Sequence, residues 1–170
     1  MWHVDVVALV LALSWAAPAG LPIQVDSAGT EQASILAVVD RFMHAVSSND
    51  VGSLAALRLD DAINTSARPD GKGGMVVTRR AFDASTFKPG AYRERYWDPV
   101  VHVRGSIAVV WTSYEFWVEG KTSHCGVDVF EMIKQDGQWR IGNLMWTIES
   151  VDACEKLRPS DLSRIRPTRN

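Results

Sequence analysis

The sequence predicts an α+β fold, and three observations carry that prediction. Apolar residues near the N-terminus recur at spacings of three and four. From Tyr92 onward they alternate with polar residues at strand spacing. The alternating runs are separated by Glu119-Gly120 and Asp136-Gly137, which fit two-residue hairpin loops. Helices followed by an antiparallel sheet are the order of an α+β domain. The 170 residues, 46% of them hydrophobic, suffice for one domain with its own core.

The first nineteen residues read as a signal peptide. Val6 to Leu13 is an apolar run too short to span a bilayer, and Ala17-Pro18-Ala19 fits a cleavage site. The segment lacks Lys and Arg and carries Asp5, which is unusual for such a leader. Residues 20–29, with Pro22 and Gly29, read as a linker. The domain is expected over 30–156, and 157–170, with Arg158, Arg164, Arg166 and Arg169, as a basic flexible tail. The expected location is secreted or periplasmic, with no stable membrane anchor. A net charge of −2 provides no field to recruit nucleic acid.

Within the domain, Thr30 is placed to cap a first helix, with Ile35, Val38, Val39, Phe42, Met43 and Val46 as its buried stripe. Asp50 is placed to cap a short second helix carrying Leu54 and Leu57. A strand is expected at Ala62–Ser66 and another at Met75–Thr78. Arg79–Phe87 reads as a brief helix. The strands Tyr92–Asp98 with Val100–Val103, Ile107–Val118, Thr122–Ile133 and Gln138–Glu149 complete a meander.

The stretch Ser123-His124-Cys125-Gly126 draws attention because it concentrates reactive side chains. With both hairpin loops two residues long, Glu115 would face His124 and Asp128 would face Met145. Alternation then places Trp111, Glu115, Trp117, His124, Asp128, Phe130, Asn143 and Met145 on one face, and Cys125 on the other. A Cys125–His124 catalytic pair is therefore disfavoured, as is a metal site, because their side chains diverge. Two readings of the shared face stand. Asp128 is a general base assisted by His124 in a ligand pocket, or Glu115 and His124 are a cross-strand pair beside a hydrogen-bonded Asp128 in a packed core. In an exported chain the even count of two cysteines suggests a Cys125–Cys154 disulfide. In a reducing compartment both would be buried thiols. Asn64-Thr65-Ser66 fits a glycosylation acceptor.

The C-terminal half also resembles a known group. Tyr114 and Phe116, Gly120-Lys121, Ser123 to Gly126, Asp128 and Phe130, Gly137, Trp139 and Ile141, and a terminal Cys154 together resemble the last three strands of the nuclear transport factor 2-like superfamily, in its SnoaL-like and lumazine-binding group. The helix VVDRFMHAVSSNDVGSL resembles that superfamily's opening helices. The resemblance implies a cone: a strongly curved mixed sheet wrapped around N-terminal helices, open at one end. It often implies a homodimer through the outer face of the sheet. It implies no single activity.

The expected role is therefore binding of a small apolar or aromatic molecule, with no cofactor and no metal. Two alternatives are kept. One is a cofactor-free isomerase, cyclase or dehydratase with Asp128 as base and His124 or Tyr114 assisting. The other is an interaction module whose interior is filled by its own side chains.

Overall fold

In the computed structural model, residues 27–88 and 90–166 are described. The expected signal peptide and most of the linker lie outside these residues. Helix α1 spans Ser27–Ser48, one turn longer at its start than the Thr30 cap predicts. All six stripe residues from Ile35 to Val46 are buried. Asn49 ends the helix with φ 55°. The Asp50 carboxylate then accepts from Ser53 N at 2.9 Å and caps α2, Val51–Ala56.

The strands are β1 Arg58–Pro69, β2 Met75–Ala81, β3 Tyr92–Arg104, β4 Ile107–Val118, β5 Lys121–Gln135, β6 Gln138–Thr147 and β7 Ile165–Arg166, with α3 Val151–Leu157 before the last. They form one curved, unclosed sheet in the order β2-β1-β6-β5-β4-β3-β7. Only β1 and β6 run parallel among the paired strands described. The mixed α+β architecture agrees with the sequence reading. Arg79–Phe87 differs from it. Arg79 to Ala81 continue β2 opposite β1, and only Ala84–Thr86 turn as a 3₁₀ helix.

The hairpin loops are as read. Glu119-Gly120 has φ 51° and 74°, and Asp136-Gly137 has φ 52° and 77°, the left-handed values of a loop that follows the strand twist. Val118 pairs with Lys121 and Gln135 with Gln138. Beyond these first pairs the register departs from simple counting. Trp117 pairs with Thr122 but Phe116 pairs with His124, so Ser123 is an extra residue. Met132 pairs with Ile141 but Glu131 pairs with Asn143, so Gly142 is another. Each bulge moves the following residues of one strand by one position against its partner. That exchanges which face each neighbour shares. Glu115 therefore sits opposite Cys125, Trp111 opposite Val129, and Asp128 opposite Trp146.

The concave face packs against α1, where the Phe42 and Phe130 rings meet edge-on at 5.3 Å. The convex face receives the C-terminal segment. Cys125 and Cys154 are joined by a disulfide, with Cα atoms 5.5 Å apart, which fastens α3 to β5. Residues 157–166 do not behave as a free tail. Leu157 O accepts from Trp97 Nε1 at 3.0 Å, and β7 pairs with β3. Arg164 and Arg166 bond to Asp98 and Asp40 at 2.8 and 2.7 Å. Arg158, Arg164 and Arg166, which read as solvating charge, are spent on carboxylates, while Arg169 lies outside the described residues.

Candidate functional site

A cavity of about 400 Å³ opens between α1 and the concave face. Phe42 of α1, Phe82 and Phe87 of the β2–β3 connection, Phe116 of β4 and Trp146 of β6 form its apolar wall. The polar contribution comes from Arg58, Asn64, Glu94, Tyr114, His124 and Asp128. A few polar groups converging in an aromatic hollow are the usual make-up of a small-molecule site.

The sequence-predicted residues divide between the two faces. His124 and Asp128 line the cavity, as does Tyr114. Phe130 is wholly buried in the core against Phe42. Trp111 and Met145 are exposed on the outer face, at 53% and 39%. Glu115 and Trp117 also lie outside. The Glu115 carboxylate accepts from Arg95 at 2.8 Å, Thr122 at 2.8 Å and Arg158 Nε at 3.0 Å, and Arg95 stacks on Trp117 at 4.2 Å. Asn143 donates to Glu131 at 2.6 Å and accepts from Ile63 N at 3.0 Å beside the second bulge. Trp111, Glu115, Trp117, Asn143 and Met145 are therefore not pocket residues. The extra residues Ser123 and Gly142 put them on the face opposite His124 and Asp128.

Gly126 is needed for another reason. A Cβ there would lie 2.4 Å from Thr147 O, so only glycine lets β6 approach this closely. Thr147 O in turn accepts the Tyr114 hydroxyl at 2.7 Å. That fixes the phenol and directs its proton to backbone.

Two of the most informative groups carried no motif. Arg58, at the start of β1, is buried with its guanidinium over the Phe42 and Phe82 rings, 5.2 and 4.5 Å from their centroids. It donates to Asn64 Oδ1 at 2.8 Å. Asn64 is thereby an inward-facing cavity residue, which disfavours its use as a glycosylation acceptor. Glu94, on β3, is buried across the same hollow. A signal for it existed. Tyr92, Glu94 and Tyr96 alternate with Arg93 and Arg95, so the acid falls on the aromatic side of the strand.

Burial dominates the electrostatics. It pushes the Glu94 carboxyl up to about 8, against the opposing pull of Arg58. It raises Asp128 well above the carboxylate range, and the charge of Glu94 raises it further. Burial lowers Arg58 to about 10, which still leaves it cationic near neutrality. Burial also lowers His124, whose Nδ1 lies 3.1 Å from Ser123 Oγ and whose ring packs on Tyr114 and Phe116. Asp128 Oδ2 and Arg58 Nε are buried with no hydrogen-bond partner. Among the described residues no three His, Cys, Asp or Glu side chains gather as a metal site.

Solved structures share this architecture. Rv3472 of Mycobacterium tuberculosis, a protein of unknown function, superposes with a TM-score of 0.60 at 20% identity, over 82% of this chain and 83% of that one. A nuclear transport factor 2-like protein from Cytophaga hutchinsonii gives 0.55 at 21% identity, over 69% and 98%. A protein of unknown function with a cystatin-like fold from Nostoc punctiforme gives 0.57 at 11% identity, over 72% and 93%. The chain has the nuclear transport factor 2-like fold. No protein-family model matches the sequence, and a search of curated proteins finds no significant relative. At these identities the likeness concerns the fold alone. In nuclear transport factor 2-like terms, the cavity lies inside the cone and the disulfide-tethered C-terminal segment lies outside it.

Proposed function

We propose that this is an exported small-molecule-binding protein whose cone encloses a small apolar or aromatic ligand. The observation that carries the reading is the aromatic cavity of about 400 Å³ lined in part by Asp128 and Arg58, whose Oδ2 and Nε atoms are buried without partners. Buried polar atoms are ordinarily satisfied, so unsatisfied ones on side chains that line a hollow favour an occupant that draws those side chains into bonding. The Cys125–Cys154 disulfide supports an oxidising compartment. No helix among the described residues is long and apolar enough to cross a membrane. Two copies are proposed to pair through the outer face. There Val100 and Trp111 lie side by side, exposed at 49% and 53%.

A second reading is favoured by one feature. Glu94 and Asp128 are electrostatically linked acids in one hollow, so ionising one opposes ionising the other. Such a pair provides an acid and a base at once, as cofactor-free proton transfer requires.

Native mass spectrometry of protein purified gently from its own host tests the first reading. The expected spectrum shows a dimer carrying a small molecule that leaves on denaturation, with a denatured mass lacking residues 1–19 and two protons. An empty protein whose melting temperature no small aromatic compound raises would count against ligand binding. Turnover of the identified molecule that Asp128→Asn abolishes, without loss of binding, would select the enzymatic reading.

A further inference from the structure

Among the described residues Arg58 touches no carboxylate directly, and the acid that acts on it electrostatically is Glu94 across the hollow. Arg58 is 4% exposed, two phenyl rings cover its guanidinium, and its single side-chain hydrogen bond goes to the neutral amide of Asn64. It makes no direct ion pair among the described residues, whereas Arg95 and Arg158 both contact the buried Glu115 carboxylate. Its Nε has no acceptor. A charge buried in apolar surroundings is costly unless it is paired.

We infer that the ligand is an apolar or aromatic monocarboxylate, bound as its anion with the carboxylate facing the Arg58 guanidinium. This rests on the binding reading above and specifies the ligand's charge.

The other groups facing the hollow agree. From α1 and α2 come only Phe42, Val46 and Leu54; β6 adds Leu144 and Trp146. Glu94 from β3 and Asp128 from β5 are both driven toward their neutral forms by burial. His124 is held neutral by burial, and the Tyr114 phenol keeps its proton through burial and the nearby acids Asp128, Glu94 and Glu149. Near neutral pH the hollow therefore carries one positive charge, from Arg58, and a protonated Asp128 able to donate. A carboxylate accepts from both kinds of group. Raising the pH ionises Glu94, which repels such a ligand and competes for Arg58.

The test is calorimetric titration of the full-length protein with 2-naphthoate and with 2-naphthalenemethanol, which share a ring system and differ in charge. Naphthoate is expected to bind at least about tenfold more tightly near neutral pH, as a charge-assisted hydrogen bond warrants. Arg58→Met should remove that preference, lowering naphthoate affinity by at least about tenfold more than that of the alcohol. In the wild type, naphthoate affinity should fall between neutral pH and about pH 9.5 while that of the alcohol holds. The pH series needs no variant, so it decides even if Arg58→Met does not fold. If the alcohol binds as tightly as naphthoate, or the preference survives Arg58→Met, the monoanion is overturned and the binding cavity stands. If neither compound binds, both readings fall.

Discussion

Two sets of buried carboxyls occupy opposite faces of one sheet, and they are treated in opposite ways. On the convex side, Glu115 is wholly buried and holds Arg95, Arg158 and Thr122. Burial works against its charge, but hydrogen bonds from Arg158, Arg95 and Thr122 outweigh it and hold the carboxyl below its usual range. On the concave side, Glu94 and Asp128 are buried without such donors and are pushed up. A carboxylate with its full complement of partners is a fastener. A carboxyl left short of partners beside a hollow, as Asp128 is, suits something that is not part of the chain.

The comparison is broken most forcefully from the outside. Replacing both Cys125 and Cys154 by Ser opens a loop with a sequence separation of 29 and should cost about 3.5 kcal/mol by loop-closure entropy. Chemical denaturation measures it, and an unchanged midpoint would show that α3 is held by other means. Glu115→Ala strands two arginines and should cost about 3 kcal/mol, near the lower end for a broken buried pair because both guanidiniums reach solvent. The same denaturation experiment reads this loss.

The inside should respond with the opposite sign. Glu94 rises from an ordinary 4.5 to about 8, so the stability contributed by its protonated form is complete below about pH 4.5 and is lost as pH climbs toward about 8. Glu115 is depressed, so its contribution is complete above its ordinary value and is lost as pH falls through the folded value. Stability without ligand should therefore peak in mild acid. Glu94→Gln should flatten the alkaline limb and stabilise the empty protein by on the order of 1 kcal/mol at pH 8. Denaturant midpoints measured across pH check this, and a wild-type maximum at alkaline pH would refute it. The smallest effect is expected at Arg164, whose pair with Asp98 is exposed on both sides. Arg164→Ala should shift stability by no more than about 0.5 kcal/mol, seen as a nearly unmoved melting curve.

The sequence revealed the helices and hairpin turns because each is encoded locally, by the apolar spacing from Ile35 to Val46 and by the two residues of each loop. Its prediction of inward-facing residues failed at Trp111, Glu115, Trp117, Asn143 and Met145 for a single reason. Ser123 and Gly142 each add one residue to a strand; nothing in the identity of Ser123 marks a bulge, whereas an isolated glycine within a strand, as at Gly142, is a signal for one. His124 and Asp128 still reached the cavity because both lie on β5 beyond the first bulge, and alternation holds between them. Arg58 escaped notice because its role depends on Phe42, Asn64 and Phe82, which the chain brings together only after folding.

The parallel pairing of β1 with β6 has a consequence for biosynthesis. Ile63 and Thr65 find their sheet partners at Asn143 and Met145, about eighty positions further on. Until β6 emerges, β1 and β2 have no sheet to join, and the hollow lacks its Leu144 and Trp146 wall. Contacts between such distant segments close late. A nascent chain of this design stays unable to complete its interior until the segment carrying β6 has been made.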